Sequence, residues 1–319
     1  MSASEFRQSD ASEVNPPDAS GFGTLARYLR MIKFSHSLYA LPLAGIAFLQ
    51  ALSSSNLFTA NGTPAPALYW LLLKIVIAMT AQRSAAMGFT RLADRDIDAA
   101  NPRTASREIP DGQISIKSAR LFIGVSLAIF FAAAFSINPI CALLAPVAAG
   151  LVLGYSYTKR FTFLCHFILG TAIGVAPTAV WLAVLERIDL LPLVWSAGLA
   201  IYIAGFDILY ACQDADYDRE VGLHSVPARF GVPAALWVAR LCHLAAIGLF
   251  AYAGVQRQSG AIFDIAVVIV AELFVVEHRL VRPGKLERIP IAFFHINASI
   301  SLVLFLGIAL DLWLAPSPG

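Results

Sequence analysis

The sequence predicts an all-α membrane protein, a polytopic bundle of about nine transmembrane helices built as a pseudo-repeat of two four-helix halves. Of the 319 residues, 58% are hydrophobic and only 14% are charged, and the mean hydropathy is +0.70. Soluble domains carry about a quarter of charged residues and cannot enclose this much apolar surface. Apolar stretches of about 20 residues, enough to cross a bilayer, also recur along the chain. The lipid bilayer is therefore the first predicted partner.

The predicted spans follow these apolar stretches in order. They cover residues 34–54, 67–90, 119–136, 138–157, 161–185, 190–212, 231–255, 261–279 and 289–314. A polar loop separates the first two spans, and Ile137-Asn138-Pro139 predicts a tight turn between the third and the fourth. Residues 1–23 are polar, unlike a signal peptide, and predict a disordered cytoplasmic tail. Residues 24–316 predict a single transmembrane domain, and the four scattered cysteines are interpreted as packing residues.

The basic residues predict the orientation of the bundle. Most Lys and Arg residues outside the spans precede the first span or follow the second, fourth, sixth and eighth, whereas the alternate loops contain only Arg187 and Arg257. Because basic loops stay in the cytoplasm, the N-terminus is predicted inside and the C-terminus outside. The expected location is a bacterial inner or plasma membrane. The net charge of +2 gives no reason to expect a nucleic-acid partner.

An acidic cluster follows the second predicted span on its cytoplasmic side. If the helix continues past the membrane surface, Thr90, Asp94 and Asp98 share one face at i, i+4 spacing. Two carboxylates one turn apart repel each other unless a cation lies between them. Mg²⁺ suits such oxygen ligands, because it keeps several waters and completes its shell with substrate phosphates. The cluster therefore predicts a magnesium site.

A second acidic cluster ends the sixth span. Asp214 and Asp218 repeat the i, i+4 spacing, and Asp207 extends the same stripe into the membrane. An EF-hand is excluded, because Arg219 and Ser225 stand where its loop requires Gly and Glu. Either cluster alone is explained equally well by a solvated acidic surface. Their equivalent positions in the two halves favour one joint site, as in other internally repeated membrane proteins.

Basic and aromatic residues surround the acidic clusters in the sequence. Tyr155, Lys159 and Arg160 close the fourth span on the same membrane side, and Arg107 follows the first cluster. These cations are expected to neutralise a phosphorylated ligand. Arg103 and Arg229 are explained equally well by the positive-inside rule alone.

Arg83 lies at membrane depth, seven residues before Thr90. An ionisable group there is a functional hypothesis by default. It is interpreted either as a structural partner of Asp207 or as a ligand of a substrate phosphate or carboxylate.

Three motifs resemble those of the UbiA superfamily of intramembrane aromatic prenyltransferases, and the resemblance covers the chain from about Leu25. TRLADRDIDAANPRTASREIPDG resembles the first aspartate signature, YSYTK the Tyr-x-x-x-Lys motif, and DILYACQDADYDREVGLHSVPARFG the second aspartate motif. Thr90 stands where the family usually has Asn, and Arg91 matches an Arg variant of the signature. With KFSHSLYALPLA, that variant is most similar to the 4-hydroxybenzoate polyprenyltransferase-like branch, which includes enzymes of the futalosine route to menaquinone.

The resemblance implies Mg²⁺-dependent transfer of a polyprenyl group from a polyprenyl diphosphate to an aromatic acid, such as 4-hydroxybenzoate or a hydroxynaphthoate, in ubiquinone or menaquinone biosynthesis. The implied magnesium ligands are Thr90, Asp94, Asp98, Asp214 and Asp218. Lys159 would neutralise the diphosphate and Tyr155 would steady the allylic cation. The implied substrate-binding residues are Arg83, Arg91, Arg107, Arg160 and Asp207.

Two alternatives stay open at this stage. A cation-coupled secondary transporter also combines repeats with intramembrane charges, although its sites usually lie near the midplane of the membrane rather than at the cytoplasmic ends of helices. A prenyltransferase of the same family with another acceptor, such as haem, chlorophyllide, or a glycerol or sugar phosphate, would share the same motifs.

Overall fold

The computed structural model describes residues 21–33, 37–55, 66–282, 286, 289 and 295–314. Within these ranges all regular structure is helical, which confirms the predicted fold class. The helices are α1 (Gly21–Met31), α2 (Ser37–Ser53), α3 (Pro66–Ala93), α4 (Arg95–Ala100), α5 (Ile116–Ile137), α6 (Pro139–Thr158), α7 (Cys165–Gly174), α8 (Ala176–Leu185), α9 (Leu190–Ala211), α10 (Ala215–Glu220), α11 (Val226–Phe230), α12 (Val232–Arg257), α13 (Ala261–Leu280) and α14 (Asn297–Leu314).

Among the described residues, seven helical segments are long and apolar enough to cross a membrane. They are Ala67–Ala93, Ile116–Ile137, Pro139–Thr158, Cys165–Leu185, Leu190–Glu220, Val232–Arg257 and Asn297–Leu314. The first predicted span corresponds to α2, whose apolar part, Leu41–Ser53, is shorter. The eighth corresponds to α13, which carries several charged residues, including the buried Glu277. The predicted count of nine transmembrane helices is therefore not confirmed.

The structure describes part of the predicted N-terminal tail and the predicted turn between the third and fourth spans. Helix α1 begins at Gly21, slightly before the predicted end of the tail, and the rest of the tail lies outside the described residues. The predicted turn at Ile137-Asn138-Pro139 is confirmed. The Asn138 side chain accepts a hydrogen bond from the Cys141 N–H at 2.8 Å and donates one to the Leu182 carbonyl at 2.9 Å. One amide thus caps α6 and fixes it against α8.

The two halves of the chain pack in the same way. Helix α3, which leads into the first acidic cluster, packs along α5, and α9, which leads into the second, packs along α12. In each half the motif-bearing helix thus lies against the helix that follows its polar loop. Helix α14 packs against both α2 and α13, so the last described helix returns to the first part of the bundle.

Helices α7 and α9 approach each other unusually closely. A Cβ atom added to Gly170 would lie 2.1 Å from the Ala200 carbonyl oxygen, and one added to Gly174 would lie 2.6 Å from the Ala200 Cβ. Small residues at such positions let two membrane helices pack backbone to backbone. The first turn of α7 is thereby held beside the last turns of α9, where the second acidic cluster begins.

Candidate active site

The first acidic cluster forms where α3 gives way to α4. The Asp94 N–H donates to the Thr90 carbonyl at 2.9 Å, and the Asp98 N–H donates to the Asp94 carbonyl at 2.7 Å. The helical repeat therefore continues through the junction, and the predicted one-turn spacing is present. Both carboxylates are buried, since Asp94 is 3% exposed and Asp98 is 5% exposed.

Each of these carboxylates has a basic partner from another part of the chain. Lys159 Nζ lies 2.8 Å from Asp94 Oδ2. Arg107 donates to both oxygens of Asp98, at 2.6 and 2.7 Å. Buried carboxylates require such partners, because an uncompensated charge away from water is costly.

The second acidic cluster contacts the first one directly. Asn101, which ends α4, donates its side-chain N–H to Asp214 Oδ1 at 3.3 Å. Arg103 donates from Nε to the same oxygen at 2.8 Å and also pairs with Oδ2. Tyr217 donates its hydroxyl to the Ile97 carbonyl at 2.8 Å. Segments more than 100 positions apart in the sequence thus meet at one end of the bundle.

The carboxylates of the two clusters suit a cation whose coordination shell is completed by a phosphorylated ligand. Among the described residues, no group of three or more His, Cys, Asp or Glu side chains could hold a metal ion by itself. Mg²⁺ does not require such a cage, because it usually binds through one or two carboxylates, waters and substrate phosphates. The paired carboxylates at Asp94/Asp98 and Asp214/Asp218 supply oxygen donors of that kind, so the residues present fit Mg²⁺. Asp218 also accepts a hydrogen bond from the Ser225 hydroxyl at 3.1 Å.

A hydroxyl cluster lies between α3 and α6 beside the first carboxylates. The Thr90 Oγ1 atom donates to the Ala86 carbonyl at 3.0 Å and lies 2.9 Å from the Ser156 Oγ and 3.2 Å from the Tyr155 hydroxyl. Tyr155 is thus held at the junction between the acidic clusters and the interior of the bundle.

A model of the UbiA prenyltransferase family matches residues 46–299. The chain belongs to this family. The resemblance found in the sequence is thereby confirmed, and the chain is an integral membrane prenyltransferase, so the transporter alternative is not supported.

Two relatives of this UbiA protein are 4-hydroxybenzoate octaprenyltransferases. The one from Salmonella paratyphi C is 30% identical over 251 residues, which cover 79% of this chain and 86% of the relative. The one from Citrobacter koseri is 30% identical over 249 residues, which cover 78% of this chain and 86% of the relative.

Solved UbiA structures have the same fold. The apo structure of a UbiA homolog from Aeropyrum pernix K1 is 29% identical, with a TM-score of 0.75, and covers 87% of this chain and 98% of that chain. A UbiA homolog from Archaeoglobus fulgidus bound to GPP and Mg²⁺ is 19% identical, with a TM-score of 0.60, and covers 89% of this chain and 99% of that chain. At that identity the second comparison supports the fold alone.

Two arginines predicted to bind substrate lie at helix contacts in this UbiA chain. Arg91 is 7% exposed, and its Nε donates to the Met31 carbonyl at 3.4 Å. Arg160 donates to the Ala93 carbonyl at 2.6 Å and lies 3.4 Å from Asp94 Oδ1. Both therefore hold other elements against the end of α3, and their predicted contact with substrate stays a prediction.

Asp207 lies on α9 with a partner that sequence analysis missed. Its Oδ2 atom is 2.7 Å from Nδ1 of His166 on α7. The hydrogen bond of Asp207 in the structure is thus made to His166, and its pairing with Arg83 stays a prediction. His166 carries no motif signal, because a lone histidine in an apolar span looks like a packing residue.

Lys33 is a second residue that sequence analysis did not place in the site. Its Nζ lies 5.9 Å from the centroid of the Tyr210 ring, and Arg103 donates to the Tyr210 hydroxyl at 3.1 Å. Burial, together with the nearby guanidinium groups of Arg91, Arg107 and Arg103, lowers the pKa of the Lys33 ammonium to about 8. Such crowding of cations is unfavourable by itself and favours an anionic ligand.

Proposed function

We propose that this UbiA protein transfers a polyprenyl group from a polyprenyl diphosphate to an aromatic acid, 4-hydroxybenzoate or a hydroxynaphthoate, in ubiquinone or menaquinone biosynthesis. The observation that carries the proposal is the contact between the two acidic segments, where Asn101 and Arg103 both bind Asp214. The names of the curated relatives support the acceptor class. The site and the N-terminus face the cytoplasm and the C-terminus lies outside, as the basic loops predict.

The acidic clusters and their basic partners together bind the diphosphate. Asp94, Asp98, Asp214 and Asp218 would hold Mg²⁺, with Thr90 as a further candidate ligand. When bound, Mg²⁺ stabilises the negative charge that grows on the leaving diphosphate. Lys159 and Arg107, which pair with Asp94 and Asp98 in the structure, would bind the phosphate oxygens, which carry negative charge as the carboxylates do.

The residues beyond the acidic clusters handle the organic parts of the substrates. The ring of Tyr155 stabilises the developing allylic cation, while Thr90 forms a hydrogen bond with the Tyr155 hydroxyl. Arg83 lies about two turns of α3 before Thr90 and binds the carboxylate of the aromatic acid. The surrounding helices exclude water from the cation and leave the polyprenyl tail in contact with lipid.

Lys33 is expected to make the affinity for the diphosphate fall as the pH rises through about 8, its pKa in the free protein. Below that pH the ammonium is charged and attracts the anion, and above it this attraction is lost. The measurement is the KM for the polyprenyl diphosphate between about pH 7 and pH 9. Lys33→Arg is the matched control, because a guanidinium stays charged throughout and should flatten the rise in KM. An equal rise in both proteins would assign the pH effect to another group.

An acceptor panel tests the proposed function. Enzyme purified in detergent is incubated with one polyprenyl diphosphate and, separately, with 4-hydroxybenzoate, hydroxynaphthoates, and a glycerol phosphate, and the products are identified by mass spectrometry. Prenylation of an aromatic acid that stops when EDTA removes Mg²⁺ is the expected result. Prenylation of the glycerol phosphate alone, or undiminished turnover in EDTA, would contradict the proposal.

A further inference from the structure

His166 and Asp207, which we call the His–Asp pair, join the first turn of α7 to α9. Asp207 stands about two helical turns before Asp214 in the chain. The side chain of His166 is 3% exposed, whereas that of Asp207 is 28% exposed. The histidine is therefore enclosed, and the carboxylate keeps an accessible edge. The backbone that binds the other side of the His166 ring directly follows Ser225, which donates to Asp218, so the pair adjoins the second acidic cluster.

The second ring nitrogen of His166 decides where its proton lies. The backbone N–H of Val226, at the start of α11, donates to Nε2 at 3.2 Å. A nitrogen that accepts a hydrogen bond carries no proton, so the single proton of a neutral imidazole is on Nδ1. Nδ1–H therefore donates to Asp207 Oδ2 at 2.7 Å. Asp207 is thus oriented by a neutral donor that is itself fixed by the backbone.

This neutral partner distinguishes Asp207 from three of the four aspartates proposed to hold Mg²⁺. The fourth, Asp218, also accepts from a neutral hydroxyl, but the metal would occupy it. Asp94, Asp98 and Asp214 face Lys or Arg side chains. A cationic partner stabilises an ionised carboxylate more than a neutral donor does, and so makes it a weaker proton acceptor. Among the described residues, the side chain of Asp207 is hydrogen-bonded to His166 through Oδ2. Oδ1 is thereby left to contact a substrate.

We infer that Asp207 is the base that takes the ring proton during prenyl transfer and that His166 is its positioning residue; this inference rests on the proposed function. In that reaction the bond between C1 of the prenyl group and the diphosphate oxygen breaks, and the diphosphate leaves with the electron pair. A ring carbon of the acceptor forms the new bond to C1. That carbon then loses its proton to Asp207 Oδ1, the C–H electron pair restores the aromatic ring, and Asp207 later releases the proton to water.

Three variants separate positioning from mere packing. His166→Leu removes the donor to Asp207, His166→Asn keeps a side-chain N–H near the position of Nδ1, and Asp207→Asn removes the base. Each is assayed for transfer to the acceptor that the panel identifies, with that acceptor either unlabelled or deuterated at the ring carbon that is prenylated. Thermal unfolding in detergent checks that each variant is folded.

Slower proton removal is the expected signature. Asp207→Asn should lower kcat by about 100-fold, and His166→Leu by about tenfold, with the KM for the diphosphate unchanged. Both should gain a primary deuterium isotope effect that the wild type lacks, and His166→Asn should behave like the wild type. His166→Leu in the Asp207→Asn background should cause no further loss, because the histidine acts through the aspartate.

Several results would overturn the inference. Wild-type kcat in Asp207→Asn, or loss of rate without an isotope effect, would show that Asp207 takes no ring proton. Equal losses of kcat in His166→Leu and His166→Asn would show that His166 acts only through packing. If the wild type itself prenylates none of the aromatic acids, the proposed function fails, and the inference falls with it. If the wild type transfers the prenyl group normally and Asp207→Asn is unaffected, the inference is wrong while the proposed function stands.

Discussion

Alanine at Asp94 or Asp214 is expected to reduce prenyl transfer by about 1,000-fold or more while the protein stays folded. Each change would remove a proposed Mg²⁺ ligand from one acidic cluster, and the leaving diphosphate would then lack stabilisation where its charge develops. Asp94→Ala also removes the carboxylate that pairs with Lys159. The measurement is product formation at saturating substrates, with release of diphosphate followed in parallel.

The chain offers matched controls for both variants. Asp96 and Asp216 lie within the same two acidic clusters, but their side chains are 81% and 98% exposed and pair with neighbouring arginines. Asp96→Ala and Asp216→Ala should therefore retain near wild-type turnover. Near-normal activity in Asp94→Ala or Asp214→Ala would reject the two-cluster mechanism. Similar losses of activity in Asp96→Ala and Asp216→Ala would show that the overall negative charge of the clusters, and not metal ligation, is required.

The acidic clusters could be predicted because local spacing determines their geometry. The i, i+4 spacing of Asp94 and Asp98 survives the junction between α3 and α4, since the backbone hydrogen bonds continue through it. The meeting of the two clusters followed from their equivalent positions in two similar halves. The partner of each carboxylate could not be predicted. Arg103 is indistinguishable in sequence from other basic residues of the loops, and the positions of Lys159 and Arg107 predict contact with a phosphorylated ligand but not which carboxylate each one faces.

The residues that sequence analysis missed depend on contacts between distant helices. His166 acquires a role only because α7 lies against α9, and Lys33 only because the end of α1 reaches the arginines of the first cluster. The helix count depends on contacts too. Helix α13 carries Glu277 toward the bundle interior, where Asn297 donates to it at 3.4 Å, so this charge is buried. The other charged residues of the helix, Asp264, Glu272 and Arg279, are exposed.

Gly170→Ala is expected to destabilise the bundle and to weaken prenyl transfer through the His–Asp pair. The new Cβ would meet the Ala200 carbonyl oxygen at 2.1 Å, a contact with backbone that no side-chain rotation relieves. Helices α7 and α9 must therefore separate, and overpacking of this kind costs about 1–3 kcal/mol. His166 lies one turn before Gly170, so the separation also lengthens its hydrogen bond to Asp207.

Gly248→Ala supplies the matched control, because Gly248 lies within α12 and a Cβ there meets nothing within 4 Å. Alanine favours helix over glycine by about 1 kcal/mol, so this variant should be as stable as the wild type or more stable. Thermal unfolding in detergent and kcat are measured for both variants. If Gly170→Ala unfolds at the wild-type temperature with wild-type kcat, the close approach of α7 and α9 is unnecessary for the site. If it loses kcat and gains the isotope effect expected of His166→Leu, the helix contact acts through the His–Asp pair.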